Sequence, residues 1–393
     1  WAYFFAAADN VIKLGGRLAA VTPEEFFAGR SAESLRRHLL LPGEKGYRYA
    51  VMYVVKSAAD VAFSERTLYR DYLIVMRKMP LYEEPGPLIY VVIKKRKDEL
   101  TYEDVEALIH RIKEARELAT SQEDEIAYIT KIQKPDLIIE KHISNLKPLV
   151  GFLYPRAQEL FIELLDILTD KPSLGDLVNI VVYNPGQYVA DRKKFKGVED
   201  YARRLFLVRY GARGKIAFRI IGEEAEDILV IPRKGRMKNR IKKLYLVPSL
   251  RSPAGVKFMD VSAYHEYAIV DERALNREAW TQAGLVERGK LLEAIRDVKA
   301  AYDDKACKIL IARRLQLTTP NIYWLAFYSN TPTLFTTSPF LGIKPKQVHK
   351  DDVLKALTLS LNSSLTVLQL LGLLVETRGD FVTLHGELVW SHV

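Results

Sequence analysis

The opening stretch, WAYFFAAADNVIKLGGRLAAVTPEEFF, constrains the fold more than any other part of the chain. An apolar segment from Ala2 to Lys13 reads as a helix. Gly15 and Gly16 make a turn, and Arg17 to Val21 reads as a strand. A second helix follows in SAESLRRHLL, with Ser31 as its N-cap and Glu33–Arg37 as an i,i+4 pair. Tyr47 to Val55 and Leu68 to Lys78 are then two further strands. Strand, helix, strand in that order predicts a parallel sheet with helical crossovers. The last two strands have only a short connection, so they are expected as antiparallel neighbours. The chain starts without Met and without a polar cap ahead of its first apolar turn. It is therefore expected to enter a strand–helix array partway through.

The 393 residues allow two or three domains at roughly 150 residues each. Met79 to Pro87, MPLYEEPGP, is the clearest linker signal. It separates an α/β region (1–80) from a connecting region of mixed α/β character (81–174). That region contains the strand LIYVVIKKRK and a long charged helix, TYEDVEALIHRIKEARELA, capped by Thr101 with Asp104 reaching back. From about residue 175 to 393 short strands alternate with basic turns. Helices are expected at REAWTQ, at ERGKLLEAIRDVKAAY and, as one continuous element, at KDDVLKALTLSLNSSLTVLQLL.

A net charge of +10 points to an anionic partner, most commonly nucleic acid; a solvated basic surface is the plainer reading. The single cysteine, Cys307, excludes an internal disulfide framework and a multi-Cys zinc site, which fits a reducing cytoplasm. It lies in the apolar run KACKILIARR and is expected to be a buried, inert thiol. No apolar stretch is long enough to span a bilayer, and the N-terminus is unlike a signal peptide.

Several chemical signatures are absent from the sequence: G-x-G-x-x-G after a strand, a Walker loop, H-E-x-x-H, paired Cys-x-x-Cys and a G-x-S-x-G elbow. The seven histidines are scattered, so no metal cluster is expected. The carboxylates form no isolated pair suited to hydrolysis.

The series LGGRLAAVTPEEFFAGRSAESLRRHLL and YRYAVMYVVKSAADVAFSERTLYRDYLIVMRK resembles the downstream half of the catalytic domain of adenine-N6 DNA methyltransferases of restriction–modification systems. The resemblance implies a partial Rossmann-like methyltransferase sheet over residues 1–80, followed by a mixed α+β target-recognition domain over 175–393. In that family an upstream half binds S-adenosylmethionine through a Gly-containing loop and carries an Asn/Asp-Pro-Pro-Tyr/Phe turn. The Asn side chain and prolyl carbonyl of that turn accept hydrogen bonds from the adenine amino group, which then attacks the sulfonium methyl without a metal. Both elements are missing here. YNPGQY (Tyr183 to Tyr188) comes nearest, but Gly186 replaces the second Pro and the segment lies far downstream; it reads as an Asn-Pro turn. An upstream segment or a separate polypeptide is therefore expected to complete the site, and this chain alone is expected to be inactive.

Phe63, in DVAFSERT, occupies the position where the resemblance implies an aromatic ring stacked on an adenine rotated out of the duplex. The other reading of Phe63 is a plain core aromatic. KILIARRLQL, IYWLAFYSNTPTLFTTSPFLGIKP and LTLSLNSSLTVLQLL resemble the segments that follow such catalytic domains and those of restriction specificity subunits. Double-stranded DNA is the expected partner. The densest basic stretch supplies Arg233, Lys234, Arg236, Lys238, Arg240, Lys242 and Lys243. Lys193 and Lys194, Arg313 and Arg314, and Lys346 are further candidates for phosphate or base contacts. A non-catalytic DNA-binding specificity module is the alternative to the methyltransferase reading.

Overall fold

The computed structural model describes residues 2–23, 25–28, 32–58, 63, 71–117, 121–133, 135, 167, 171, 173–209, 217–232, 238–253, 256–316, 325–336, 339–371, 375–377 and 381–383. The chain is mixed α/β and divides into two compact units, 1–171 with 368–384, and 172–367 with 385–393.

The first unit begins with helix α1 (Ala2–Val11), strand β1 (Arg17–Pro23) and helices α2 (Glu25–Ala28) and α3 (Glu33–Leu40). A short ribbon, β2 (Pro42–Gly43) and β3 (Gly46–Tyr47), leads to β4 (Tyr49–Ser57) and β5 (Asp71–Lys78). Then follow β6 (Leu88–Ile93), helix α4 (Tyr102–Ala115), β7 (Gln122–Glu123) and β8 (Ala127–Ile132). These strands build one six-stranded sheet in the order β1-β5-β4-β6-β8-β7.

β4 and β5 are antiparallel neighbours, as expected. The expected parallel pairing of β1 with β4 does not occur. β5 inserts between them, antiparallel to both, so β1 and β4 share a direction without sharing hydrogen bonds. β6 then pairs parallel with β4. Met79–Pro87 thus joins two strands of a single sheet, which continues past residue 80 to Ile132. A Pro- and Gly-rich loop inside a sheet carries the same sequence punctuation as an interdomain linker, and only the pairing of β6 tells them apart.

Helices cover both faces of this sheet. One face buries Leu18, Val54, Ile74, Met76, Leu88 and Tyr90 with Phe5, Phe26, Phe27, Leu39 and Leu40 from α1 to α3. The opposite face buries Val55, Ile89, Val91, Ile93 and Ile129 with Leu108 and Ala115 of α4. The run LIYVVI is apolar without alternation because β6 lies centrally and is covered on both sides. The capping box of α4 is present, with Thr101 and Asp104 bonded reciprocally. Ser31 lies outside the described residues; Ala32 stands at the cap position of α3 without a side-chain cap bond, and the Glu33–Arg37 pair forms at 3.1 Å.

The second unit contains helix α5 (Leu174–Leu177), β9 (Val178–Val181), α6 (Val198–Arg204), β10 (Phe206–Leu207), β11 (Phe218–Glu223), β12 (Asp227–Pro232) and β13 (Asn239–Lys242). It continues with β14 (Leu246–Ser249), β15 (Glu266–Ile269), α7 (Arg277–Gln282), α8 (Arg288–Lys305), β16 (Cys307–Ala312), β17 (Arg314–Gln316), β18 (Ala326–Thr333), β19 (Phe340–Pro345) and α9 (Asp351–Leu361). Helix α10 (Ser364–Leu371) follows, and the antiparallel pair β20 (Val375–Thr377) and β21 (Phe381–Thr383) that closes the described chain falls within residues 368–384 of the first unit. Three sheets of the second unit are β11-β12-β13, β10-β15-β14 and the antiparallel β18-β16-β19-β9.

The single helix expected over 350–371 is instead two. Asn362 terminates the first, because its side chain is taken up by strand β18: Oδ1 accepts from the N–H of Leu325 (2.7 Å) and of Ala326 (3.0 Å), and Nδ2 donates to the Ala326 carbonyl (2.9 Å). Ser363 Oγ then accepts from the Thr366 N–H at 3.2 Å and starts the second. Cys307 is buried as expected; desolvation pushes its thiol up to about 12.

Candidate nucleic-acid interface

Open α/β sheets place ligands beyond the carboxyl ends of their parallel strands. In the first unit β1, β4 and β6 end on the same rim. Pro23 of β1 lies across from Asp71, the first residue of β5, and Ser57 of β4 across from Ile93 of β6. Phe63 belongs to the connection between β4 and β5 and so sits at this rim. Its backbone N–H donates to Asp71 Oδ1 at 2.6 Å. The ring is half-buried and packs against the core face that α4 covers. Asp71 is itself buried. Sequence reading passed over it, although one acid opening the apolar run DYLIVM was a visible signal. Ser64 to Arg66 lie outside the described residues.

The opposite rim is closed by an ionic lock. Gly15, with φ of +77°, donates its N–H to the Lys78 carbonyl at 2.7 Å, and the Lys78 N–H returns to Gly16 at 2.8 Å. Asp9 of α1 is buried here against Arg48 and Lys78, with His38 Nε2 at 3.7 Å. Burial alone would raise the Asp9 carboxyl. The hydrogen bond from Arg48 and the ion pair with Lys78 overcome that and bring it down to about 2.

The described residues do not form a cradle for S-adenosylmethionine: the Gly15–Gly16 turn stands at the amino end of β1, away from the ligand rim, and the described rim residues Pro23, Phe63 and Asp71 include no glycine. Among the described residues no cluster of His, Cys, Asp or Glu could hold a metal ion. No helix among them is long and apolar enough to cross a membrane.

The basic candidates of the second unit fall into distinct environments. Arg233, Lys234 and Arg236 lie outside the described residues, in the segment joining β12 to β13. Lys238 follows it, exposed and without an ion pair among the described residues. Arg240 pairs with Glu224 (3.3 Å) and Asp227 (3.4 Å), and Lys243 with Glu223 (2.8 Å). Lys242 is exposed, but the register sets it across from Asp227. Glu223 also accepts from Tyr267 and Arg209. Burial would raise its carboxyl, yet the bonds from Lys243, Tyr267 and Arg209 lower it to about 2.

Lys193 and Lys194 are exposed, with the Lys194 ammonium 5.2 Å from the centre of the Phe195 ring. Phe195 packs on the core of the unit, so this loop is anchored from beneath. Lys346 is used structurally: its Nζ donates to the Gly175 carbonyl at 2.7 Å and its N–H to Leu177 at 3.0 Å. The Arg313 N–H donates to the Pro339 carbonyl at 2.8 Å, and the side chain of Arg314 lies outside the described residues.

The YNPGQY segment is a turn. The Gln187 N–H donates to the Asn184 carbonyl at 3.0 Å, and Gly186 has φ of +88°. Its anchor, which sequence reading missed, is the buried Asp297 of α8. That carboxylate accepts from Tyr183 OH, the Gly186 N–H and the Tyr188 N–H, each at 2.7 Å. The available signal was an acid placed on the helix stripe of Ala294, Val298 and Ala301.

No protein-family model matches the chain, and no curated protein does. Among solved structures it is similar to the type IIG restriction endonuclease BpuSI, with 12% sequence identity and a TM-score of 0.34. That alignment covers 99% of this chain and 41% of the enzyme, so the chain spans well under half of that protein's length.

Proposed function

We propose that this chain is the carboxyl-terminal part of a site-specific adenine-N6 DNA methyltransferase of restriction–modification type. The observation that carries the reading is the position of Phe63 at the carboxyl-end rim, held by Asp71 opposite the last residue of β1. An aromatic ring fixed there can stack on a base that has left the duplex, and methylation of an exocyclic amine requires that departure. The order of motifs from LGGRLAAVTP to VAFSER supports the same reading. So does the edge of the sheet. Among the described residues β1 pairs only with β5, and Leu14 and Val21 are exposed beside it. Donor-binding strands would be added at that edge.

In this reading the chain's own residues bind and orient. Phe63 receives the base, while Lys193, Lys194, Lys238 and the basic stretch that includes Arg233, Lys234 and Arg236 follow the phosphate backbone. The methyl donor, S-adenosylmethionine, supplies the transferred group and is held by residues outside those described. The lack of a donor loop in this sequence also favours a second reading, a DNA-binding specificity module without catalysis.

One experiment separates the two. Genomic DNA from cells with and without the gene is digested to nucleosides and analysed by mass spectrometry, and the modified positions are mapped by sequencing. N6-methyladenine at one recurrent motif, present only with the gene, is the expected result. Identical nucleoside profiles would overturn the methyltransferase reading.

A further inference from the structure

The sheet β11-β12-β13 is electrically lopsided. The turn joining β11 to β12 carries Glu223, Glu224, Glu226 and Asp227. At the other end of the sheet, Lys238 stands exposed just ahead of β13. Between the two ends the register fixes which cations face which anions. Leu229 lies across from Arg240, whose side chain reaches the acidic turn and pairs with Glu224 and Asp227. Lys243 is held by Glu223 beyond it.

Arg219 on β11 lies at the other end. It is across from Ile231, next to the Phe218–Pro232 pair that ends the β11–β12 ladder. Facing residues of antiparallel strands share a face. Arg219, Ile231, Leu229 and Arg240 therefore point to the outer side, while Phe218, Ile220, Ile228, Val230 and Ile241 fill the core on the inner side. Arg219 is exposed and has no ion pair among the described residues. Among the described residues its charge is uncompensated, as is that of Lys238.

We propose that the duplex meets this sheet at its basic end only, with Arg219 joining Lys238 as a phosphate contact, and with Arg240 and Lys243 excluded from the interface. The inference rests on the DNA-binding reading above and adds to it an orientation and a residue. The physical reason is selectivity by charge separation. A polyanion approaching the acidic turn is repelled, and an arginine already shared between two carboxylates gains little by exchanging them for a phosphate. Arg219 gives up no ion-pair partner among the described residues on binding. Its planar fork also suits two phosphate oxygens at once.

The test uses the full chain and a random-sequence duplex, with affinity measured by fluorescence anisotropy over a range of salt concentrations. Each lost phosphate contact lowers the slope of log affinity against log salt by about 0.9. Arg219→Gln and Lys238→Gln should each show that decrement, whereas Arg240→Gln and Lys243→Gln should keep the parental slope. All four side chains are at least partly solvent-accessible, and matched circular dichroism melts check that the variants fold alike. Parental binding with an unchanged slope in Arg219→Gln, or an equal decrement in all four variants, overturns the orientation while leaving DNA binding intact. A parental chain that does not bind the duplex overturns the DNA reading and the orientation together.

Discussion

The backbone N–H of Phe63 donates to the carboxylate of Asp71 at 2.6 Å, which ties the aromatic to the first residue of β5. If that ring receives a flipped adenine, Phe63→Ala in the complete enzyme should weaken binding of duplexes with a mismatched target adenine by ~1–3 kcal/mol, the range for base–aromatic stacking, and leave binding of an abasic target unchanged. Asp71→Ala should produce a smaller loss at the same step, because it frees the segment that presents the ring. Unchanged binding and turnover in Phe63→Ala would leave the residue as core packing.

Asp9 should make the first unit sensitive to acid. Its folded-state carboxyl lies at about 2 against an ordinary 3.8. The unfolded chain therefore takes up the proton first, and the stability this carboxylate contributes is complete above the unfolded value. It is lost as the pH falls from about 4 to about 2. Urea unfolding midpoints across pH 2 to 7 should show Asp9→Asn less stable than the parent at neutral pH, the gap closing toward the acid end. A gap independent of pH would mean that the lock acts through packing alone.

Asp297 should be the most costly single acid to remove from the second unit. Asp297→Ala leaves the Tyr183 hydroxyl and two backbone N–H groups without their shared acceptor. Loss on the order of 3 kcal/mol follows from several buried donors left unsatisfied. Asp297→Asn, which keeps one carbonyl oxygen, should lose less. Equal stability of the alanine variant in denaturant titration would count against the anchor.

Most of the regular elements were legible because periodicity and capping act locally. The Thr101 box, the helix α8 and the strands β4, β5 and β6 all follow from spacing within a few residues. What was not legible depends on distant partners. The insertion of β5 between β1 and β4 is a choice among pairings that the strand sequences themselves do not rank. The break at Asn362 is imposed by Leu325 and Ala326 on another element. Among the basic residues, composition could not separate Lys238 from Arg240, because the carboxylates that neutralise Arg240 enter only when β12 and β13 fold together.

Strand β9 pairs with β19, Val178 meeting Pro345. During synthesis that strand emerges early and has no partner until most of the remaining chain has left the ribosome. The six strands of the first sheet, by contrast, are all available once residue 132 is out. Assembly should accordingly be vectorial: the first sheet can form during translation, while the β18-β16-β19-β9 sheet waits for residue 345 and prolongs the time that nascent apolar surface stays open to chaperones.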